Sequence, residues 1–278
     1  MKVAVIQCAL GGDRATNVAQ VLALVAQAAT QGAQVVLPPE LFGGVYFCRE
    51  ERPEFFDWAY PIVDHPDLPL FQEVARTHHV FLPVSLFERD GPHYYNSVVA
   101  IAPTGDVLGV YRKSHIPDGP GYEEKFYFRP GNTGFRVWTT PWGRVGVGIC
   151  WDQWFPEAAR AMVLQGADVL LYPTAIGTEP AEPDLQTCAM WQRVMVGHAV
   201  ANVVPVAAAN RIGTEGDQTF YGNSFICDRY GEMLTQFGAT EVGVLFAEFD
   251  PERVRQERAA FGFFRDRRPE LYGQLVEP

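Results

Sequence analysis

The sequence predicts an α/β fold of four layers, an α-β-β-α sandwich in which two mixed sheets pack together and helices cover their outer faces. Two observations predict it. Many short segments are apolar at nearly every position, as strands buried on both faces are. Helical patterns separate some of these segments, and glycine-containing turns join others as hairpins, so sheets and helices form separate layers. The chain has 278 residues, of which 47% are hydrophobic, and we expect one domain over residues 1–278.

The first third of the chain follows a strand–helix–strand order. Its predicted elements are a strand at 3–8, a helix at 17–31 that ends before Gly32, a strand at 35–37 that two prolines end, a helix at 68–79 and a strand at 80–87. The order indicates a right-handed crossover between neighbouring strands.

The rest of the chain is richer in strands. Hairpins are predicted at 97–111, 134–149 and 225–236, each with a turn that contains glycine. The remaining predicted elements are helices at 156–165 and 185–201 and strands at 169–172, 204–209 and 242–248.

Composition excludes several classes of function. The formal net charge of −11 argues against nucleic acid and anionic membranes as partners and is compatible with a cationic ligand. No apolar stretch reaches the ~18 residues of a membrane span, and residues 1–10 lack the basic segment of a signal peptide. The five cysteines have no paired spacing, which favours a reducing compartment and therefore a cytoplasmic protein.

Cys150 is the first candidate for chemistry. It ends the apolar run 145–149 and is followed by Trp151 and a helix that starts at Pro156. A thiol in a turn between a strand and a helix is where α/β enzymes display a nucleophile. A small core cysteine is the alternative interpretation.

Glu40 and Lys113 also stand at the ends of predicted strands, where open α/β sheets place their crevice. If they meet Cys150 there, the carboxylate can take the thiol proton and the ammonium can stabilise charge on a carbonyl oxygen. The backbone N–H of Trp151 is a candidate second donor to that oxygen. Taken alone, Glu40 is equally compatible with an exposed loop, and the pattern around Lys113 favours an ordinary surface lysine.

Three segments, 39–42, 111–117 and 148–152, resemble the signature segments of the nitrilase superfamily, in the order Glu, Lys, Cys. The resemblance extends over nearly the whole chain. It implies an α-β-β-α sandwich, hydrolysis of carbon–nitrogen bonds through a thioester-type intermediate, no metal or organic cofactor, and assembly into homo-oligomers. It also implies that Glu40, Lys113 and Cys150 are base, cation and nucleophile, and that Glu124 is a second glutamate that orients the lysine or the leaving group.

Longer segments, 113–128, 150–160 and 172–180, are similar to one branch of this superfamily, the N-carbamoylputrescine amidases. The resemblance implies hydrolysis of N-carbamoylputrescine to putrescine, ammonia and carbon dioxide, a step in making polyamines from agmatine. The distal ammonium of such a substrate needs a carboxylate, and Glu179 is predicted to supply it. Tyr46 and Trp151 are predicted to contact the aliphatic chain. Residues 43–45, Gly-Gly-Val, depart from the family pattern beside Glu40.

Other functions stay open at this point. A carbamoyl amino acid as substrate would call for an arginine in the pocket, and Arg112, Arg129 and Arg211 are candidates; an ω-amide is a further alternative. A catalytically silent assembly protein would lack the nucleophile, base or lysine. A thiol redox protein would need a resolving cysteine, and the nearest in sequence, Cys188, has no recognisable motif. The histidines do not have metal-ligand spacing, so no metal is predicted.

Overall fold

Two stacked sheets form the centre of the molecule, which a computed structural model describes for residues 1–277. The strands of this part of the chain are β1 (Lys2–Gln7), β2 (Val35–Leu37), β3 (Leu82–Asp90), β4 (His93–Ile101), β5 (Val107–Arg112), β6 (Arg136–Thr140), β7 (Gly143–Val147), β8 (Val169–Pro173), β9 (Val206–Ala209), β10 (Ile212–Glu215), β11 (Gln218–Tyr221), β12 (Phe225–Cys227), β13 (Met233–Gln236) and β14 (Gly243–Glu248).

Helices cover both sheets. The α-helices of the described residues are α1 (Arg14–Thr30), α2 (Leu68–His78), α3 (Glu124–Tyr127), α4 (Pro156–Leu164), α5 (Cys188–Asn202) and α6 (Pro251–Phe261). Short 3-10 helices span Phe47–Arg49, Pro53–Trp58, Ile62–Asp64, Cys150–Trp154, Pro269–Leu271 and Gly273–Leu275.

Both sheets are mixed. The first has two halves, ordered β14-β1-β2 and β3-β4-β5, which meet where Phe81 exchanges backbone hydrogen bonds with Gln34 and Val36. The second has the order β13-β12-β9-β8-β7-β6. The pairs β1–β2, β7–β8 and β8–β9 are parallel, and the others are antiparallel. A separate antiparallel hairpin, β10–β11, follows the end of β9.

Alternate residues of the central strands face different layers. In β8, Val169 and Leu171 belong to the core between the sheets, whereas Leu170 and Tyr172 pack under α4 and α5. β1 is divided in the same way between the central core and the core under α1 and α2. Burial of a valine, leucine or isoleucine side chain stabilises the folded state by about 1.5–3 kcal/mol. Because both faces of these strands are buried, apolar residues are favoured at every position. The predicted α-β-β-α layers are confirmed.

The predicted elements are confirmed with boundary shifts of up to four residues, the largest at the start of β4, which is at residue 93 instead of 97. Among the α-helices and strands, α3, α6 and the two strands of the β10–β11 hairpin have no counterpart in the prediction. Helix α6 buries only Val254, so it lacks the apolar stripe by which helices are recognised. The strands of the β10–β11 hairpin have four residues each and carry polar side chains.

None of the helices within residues 1–277 combines the length and apolarity that a bilayer crossing requires.

Gly131 fixes the position of the chain at the end of β5. Its N–H donates to the carbonyl of Lys113 at 2.8 Å, and a Cβ at this position would lie 2.1 Å from the carbonyl oxygen of Arg112. We expect Gly131→Ala to lower the free energy of unfolding by about 1–3 kcal/mol, because the backbone at the end of β5 must move. Urea unfolding measures the change.

Gly11→Ala is the control, since a Cβ at that exposed position meets nothing within 4 Å and should change stability by no more than about 0.5 kcal/mol. An equal effect of both substitutions would contradict the close packing at Gly131.

Candidate active site

Glu40 lies in a turn between the two sheets. Strand β2 ends at Leu37, and the prolines that follow cannot continue it because they have no backbone N–H. The N–H of Glu40 donates to the carbonyl of Thr174, just beyond β8 in the other sheet, at 3.4 Å. Leu41 has a φ of 45°, and its N–H donates to Ser85 Oγ at 3.0 Å. These contacts hold the Glu40 side chain in a fully buried position.

Lys113 follows β5 directly and lies between two carboxylates. Its N–H donates to the carbonyl of Asn96 in β4 at 2.8 Å. Its Nζ lies 2.9 Å from Oε1 of Glu40 and 2.7 Å from Oε2 of Glu124. The three side chains have no solvent exposure. The structure thus brings Glu40 together with Lys113 and Glu124, which come from a distant part of the sequence.

Cys150 occupies the turn after β7. It opens the 3-10 helix Cys150–Trp154 with a φ of 41°, a conformation that is uncommon for a residue other than glycine and that recurs at strained functional turns. Its Sγ lies 3.9 Å from the carbonyl oxygen of Ala175, beyond the end of β8. Trp151 is the second residue of this helix, so its N–H has no acceptor within the helix.

Asp152 ties the Cys150 turn to the segment after β5. Its fully buried carboxylate accepts hydrogen bonds from the N–H of Ile149 at 2.9 Å, the hydroxyl of Tyr111 at 2.7 Å and the N–H of His115 at 3.0 Å. Sequence reasoning assigned no role to this residue. Its position at the third residue of a helix, where carboxylates cap the preceding N–H, is the signal that identifies it.

Burial dominates the electrostatics of the site. It raises the pKa of Glu40 to about 7, with Lys113 opposing the shift and Glu124 adding to it. Burial also raises the pKa of the Cys150 thiol well above its ordinary range; the charge of Glu40 adds to that shift and Lys113 opposes it. Burial alone lowers the pKa of Lys113, but Glu124 and Glu40 outweigh it and the pKa lies well above its usual value. At neutral pH the thiol is therefore protonated, the lysine is charged and Glu40 is near its titration midpoint.

The two oxygens of Glu40 differ. Oε1 accepts hydrogen bonds from Lys113 Nζ at 2.9 Å and from Asn96 Nδ2 at 2.7 Å. Oε2 is buried and has no hydrogen-bond partner in the described part of the chain. A buried oxygen without a donor is free to accept a proton from an incoming group. Asn96 holds both Glu40 and Lys113, and sequence reasoning missed it because an asparagine within a strand pattern carries no signal of its own.

A cavity of about 380 Å³ opens above Cys150. Three carboxylates line it, those of Asp118, Glu179 and Glu182, together with the exposed ring of Trp151. No lysine or arginine of residues 1–277 is part of its lining. Burial and the neighbouring charge of Glu182 raise the pKa of Glu179. The remaining walls are mainly apolar and include Pro117, Tyr122, Trp154, Ile176, Leu185 and Met190.

Tyr46 is fully buried behind Glu124. Its hydroxyl donates to Oε1 of Glu124 at 2.6 Å, and its ring packs edge-on against Tyr122 and Phe220. Tyr46 does not line the cavity above Cys150, so the predicted contact with the substrate stays a prediction. The contact that the structure gives to its polar atom is with the second glutamate.

A separate cavity of about 320 Å³ lies behind the Glu40 turn. Its lining includes Gly43 and Gly44 but not Lys113 or Cys150. A Cβ on Gly44 would lie 2.7 Å from the ring of Trp58. The small residues that depart from the family pattern therefore shape the far side of the turn.

The three arginines that an acidic substrate would require, Arg112, Arg129 and Arg211, lie outside the lining of the cavity above Cys150. Arg112 pairs with Glu88 at 2.6 Å, and Arg211 is fully buried and pairs with Glu215 at 2.5 Å.

No group of three or more His, Cys, Asp or Glu side chains within residues 1–277 has an arrangement that could hold a metal ion. The expectation that the protein needs no metal stays a prediction. All five cysteines are free.

The chain is similar to known carbon–nitrogen hydrolases over nearly its whole length. The carbon–nitrogen hydrolase family model matches residues 2–259. The chain is 49% identical to a citrullinase of Francisella tularensis, over 99% of the chain and 98% of that protein. It is 51% identical to the N-carbamoylputrescine amidase of Solanum tuberosum, over 99% of the chain and 94% of that protein. The crystal structure of a carbon–nitrogen hydrolase from Helicobacter pylori superposes with a TM-score of 0.93 at 39% identity, covering 100% of the chain and 98% of that structure.

The raised pKa of Glu40 makes its effect on stability depend on pH. Because the pKa rises from 4.5 to about 7 on folding, the folded state binds this proton more tightly, and the associated stability is lost as the pH rises through 7. A glutamine at this position does not titrate. We expect the free energy of unfolding of Glu40→Gln, relative to the wild type, to increase by roughly 2 kcal/mol between pH 5 and pH 8. Urea unfolding at both pH values measures it, and a constant difference would contradict the raised pKa.

Proposed function

Since the chain belongs to the carbon–nitrogen hydrolase family, we propose that it hydrolyses N-carbamoylputrescine to putrescine, ammonia and carbon dioxide. The observation that carries the proposal is the composition of the cavity above Cys150. Three carboxylates line it, and no described basic residue does. An acidic, partly dry cavity suits a substrate that carries an ammonium group at one end and a neutral ureido group at the other.

The two relatives named above suggest two candidate substrates, citrulline and N-carbamoylputrescine. Citrulline and N-carbamoylputrescine share a ureido group on an aliphatic chain, and citrulline carries a carboxylate that N-carbamoylputrescine lacks. A carboxylate in this cavity would face Asp118, Glu179 and Glu182, and like-charge contacts of this kind disfavour binding. Lys125 lies 3.9 Å from Asp118 but is not part of the lining. The same argument disfavours carbamoyl amino acids and acidic ω-amides.

The first half of the reaction makes a covalent bond to Cys150. The ureido carbonyl lies above Sγ, and the thiol transfers its proton to the free Oε2 of Glu40 as sulfur attacks the carbonyl carbon. Lys113 and the N–H of Trp151 stabilise the negative charge that develops on the carbonyl oxygen. Glu124 keeps the ammonium of Lys113 charged and in place, through two hydrogen bonds of 2.9 and 2.7 Å.

The second half releases the products. The protonated Glu40 gives its proton to the departing nitrogen, and loss of ammonia leaves a carbamoyl thioester on Cys150. Glu40, again a carboxylate, then takes a proton from water, whose oxygen attacks the thioester carbon. Cleavage of the carbon–sulfur bond returns the proton to Sγ and releases a carbamate, which decomposes to putrescine and carbon dioxide. A pKa of about 7 suits Glu40 to both directions of transfer.

The proposed substrate also indicates a metabolic pathway, and other features of the structure support a cellular location and an assembly. The proposed reaction belongs to the synthesis of polyamines from agmatine. Free cysteines throughout residues 1–277 support a cytoplasmic location. Large apolar side chains are exposed on the outer helices, at Leu164, Val200 and Phe261, and support assembly into a homo-oligomer.

The direct experiment is an assay of ammonia release from N-carbamoylputrescine, citrulline and N-carbamoyl-β-alanine at equal concentrations. We expect N-carbamoylputrescine to have the highest kcat/KM. A higher kcat/KM for citrulline would replace the proposed substrate, and activity on none of the three would reject a ureido substrate of this class.

Glu179→Gln tests the acceptor for the distal ammonium. The half-buried carboxylate of Glu179 lines the cavity, and loss of one charge-assisted contact should lower kcat/KM for N-carbamoylputrescine about 10- to 100-fold. N-butylurea has no ammonium and serves as the matched substrate, for which we expect little change. Glu182→Gln, which neutralises an exposed carboxylate of the same lining, is the comparison variant and should lower kcat/KM for N-carbamoylputrescine less than Glu179→Gln does. Equal losses on the two substrates would remove Glu179 from the proposal.

A further inference from the structure

A network of buried contacts joins the β10–β11 hairpin to the second glutamate of the site. We propose that Arg211 and Glu215 are positioning residues that fix Glu124, and through it Lys113, by holding the segment that carries Tyr46. This inference rests on the proposed roles of Lys113 and Glu124, but not on which ureido compound is the substrate.

The first link is between the hairpin and the segment after the Glu40 turn. Arg211 Nη2 donates to the carbonyl of Gly44 at 3.0 Å and to Oε1 of Glu215 at 2.5 Å. The other oxygen of Glu215 accepts from the N–H of Tyr46 at 2.7 Å. Arg49, at the other end of the segment 44–49, donates a hydrogen bond from its guanidinium to the backbone carbonyl of Glu215. The segment 44–49 is thus held at both ends, by Arg211, which precedes β10, and by Glu215, which ends it.

The second link is between this segment and Glu124. The Tyr46 hydroxyl donates to Oε1 of Glu124 at 2.6 Å. The carbonyl of Cys48 accepts from the N–H of Glu123 at 2.7 Å, so the backbone that carries Glu124 is fixed by the same segment. Glu124 in turn contacts Nζ of Lys113 through both of its oxygens.

Aromatic packing fills the space inside the network. The Arg211 guanidinium lies 4.9 Å from the ring centre of Phe220, and the same ring packs edge-on against Tyr46 at 5.7 Å. Strand β11, which supplies Phe220, therefore supports both ends of the connection between Arg211 and Tyr46.

Stability alone does not account for this ion pair. Arg211 is fully buried, and its Nε and Nη1 have no hydrogen-bond partner within residues 1–277. A buried ion pair with unsatisfied donors is commonly no more stable than apolar side chains of the same size. The pair does provide two charged groups that fix the backbone at Gly44 and at Tyr46, in the short irregular segment between the Glu40 turn and the 3-10 helix Phe47–Arg49.

The experiment compares Glu215→Gln, Tyr46→Phe and the double variant, on whichever substrate the wild type hydrolyses best. The amide introduced by Glu215→Gln has one oxygen for two donors, so it loses the contact with Arg211 or with Tyr46. We expect each single variant to lower kcat about tenfold with KM within about twofold, because the cavity lining is untouched. The double variant should match Tyr46→Phe within about twofold, since Glu215 acts through the Tyr46 hydroxyl.

Asp168→Asn is the matched control. Asp168 is a fully buried carboxylate that pairs with Arg255 at 2.8 Å and precedes β8, at the opposite end of that strand from Ala175. This variant should lower Tm as much as Glu215→Gln does, with a wild-type kcat. Arg211→Lys keeps the positive charge but loses the planar guanidinium with its several N–H donors, and we expect the same loss of kcat. This second variant tests the inference if Glu215→Gln does not fold.

An unchanged kcat in Glu215→Gln or Arg211→Lys overturns the inference. So does a loss in the double variant that equals the product of the single losses, because the two residues would then act independently. An inactive wild type would instead reject the proposed function, so the two failures are distinct.

Discussion

One buried ammonium group, Nζ of Lys113, determines how the rest of the site is built. It lies between two carboxylates that have no exposure to solvent. Removing one charged partner from a buried ion pair lowers the free energy of unfolding by about 3–5 kcal/mol, because the other charge is left unpaired. Two negative charges and one positive charge also leave an excess of negative charge in a dry environment. Burial and, to a lesser extent, the charge of Glu124 raise the pKa of Glu40 to about 7, although Lys113 opposes the shift. This pKa suits the proposed role of a base that also returns a proton near neutral pH.

The fold supplies the means to hold this arrangement. Glu40 and Lys113 follow strands of the first sheet, and Cys150 follows a strand of the second. Each turn is fixed by a contact to a different strand or its extension: Glu40 by Thr174, Lys113 by Asn96. The proposed reacting groups are therefore placed by the sheets, whereas the cavity proposed to select the substrate is built from the loops around Asp118 and Glu179. Such loops can vary without disturbing the groups that the sheets hold.

The sequence alone predicts the layers and most strands, because these depend on local patterns. It also marks Glu40, Lys113 and Cys150 as candidates at strand ends, and the resemblance to the nitrilase superfamily implies their roles. Runs such as 3–8 and 169–172 are apolar since both of their faces are buried, and a charged or nucleophilic residue at the end of such a run stands out. The network of Asn96, Arg211 and Glu215 has no such signal: asparagine, arginine and glutamate are ordinary at the surface, and their burial depends on segments up to 167 residues apart. Tyr46 shows the same limit, since its aromatic side chain suggests a substrate wall while its hydroxyl contacts Glu124.

The position of Cys150 and Glu40 on opposite sheets links reactivity to the thickness of the central layer. Stacked sheets lie about 10 Å apart, and the spacing depends on the size of the side chains between them. Val147 and Leu37, which end β7 and β2 and lie in that layer, therefore separate the proposed nucleophile from the proposed base. If those roles hold, the volume of these two side chains sets the distance for proton transfer as well as the packing of the core.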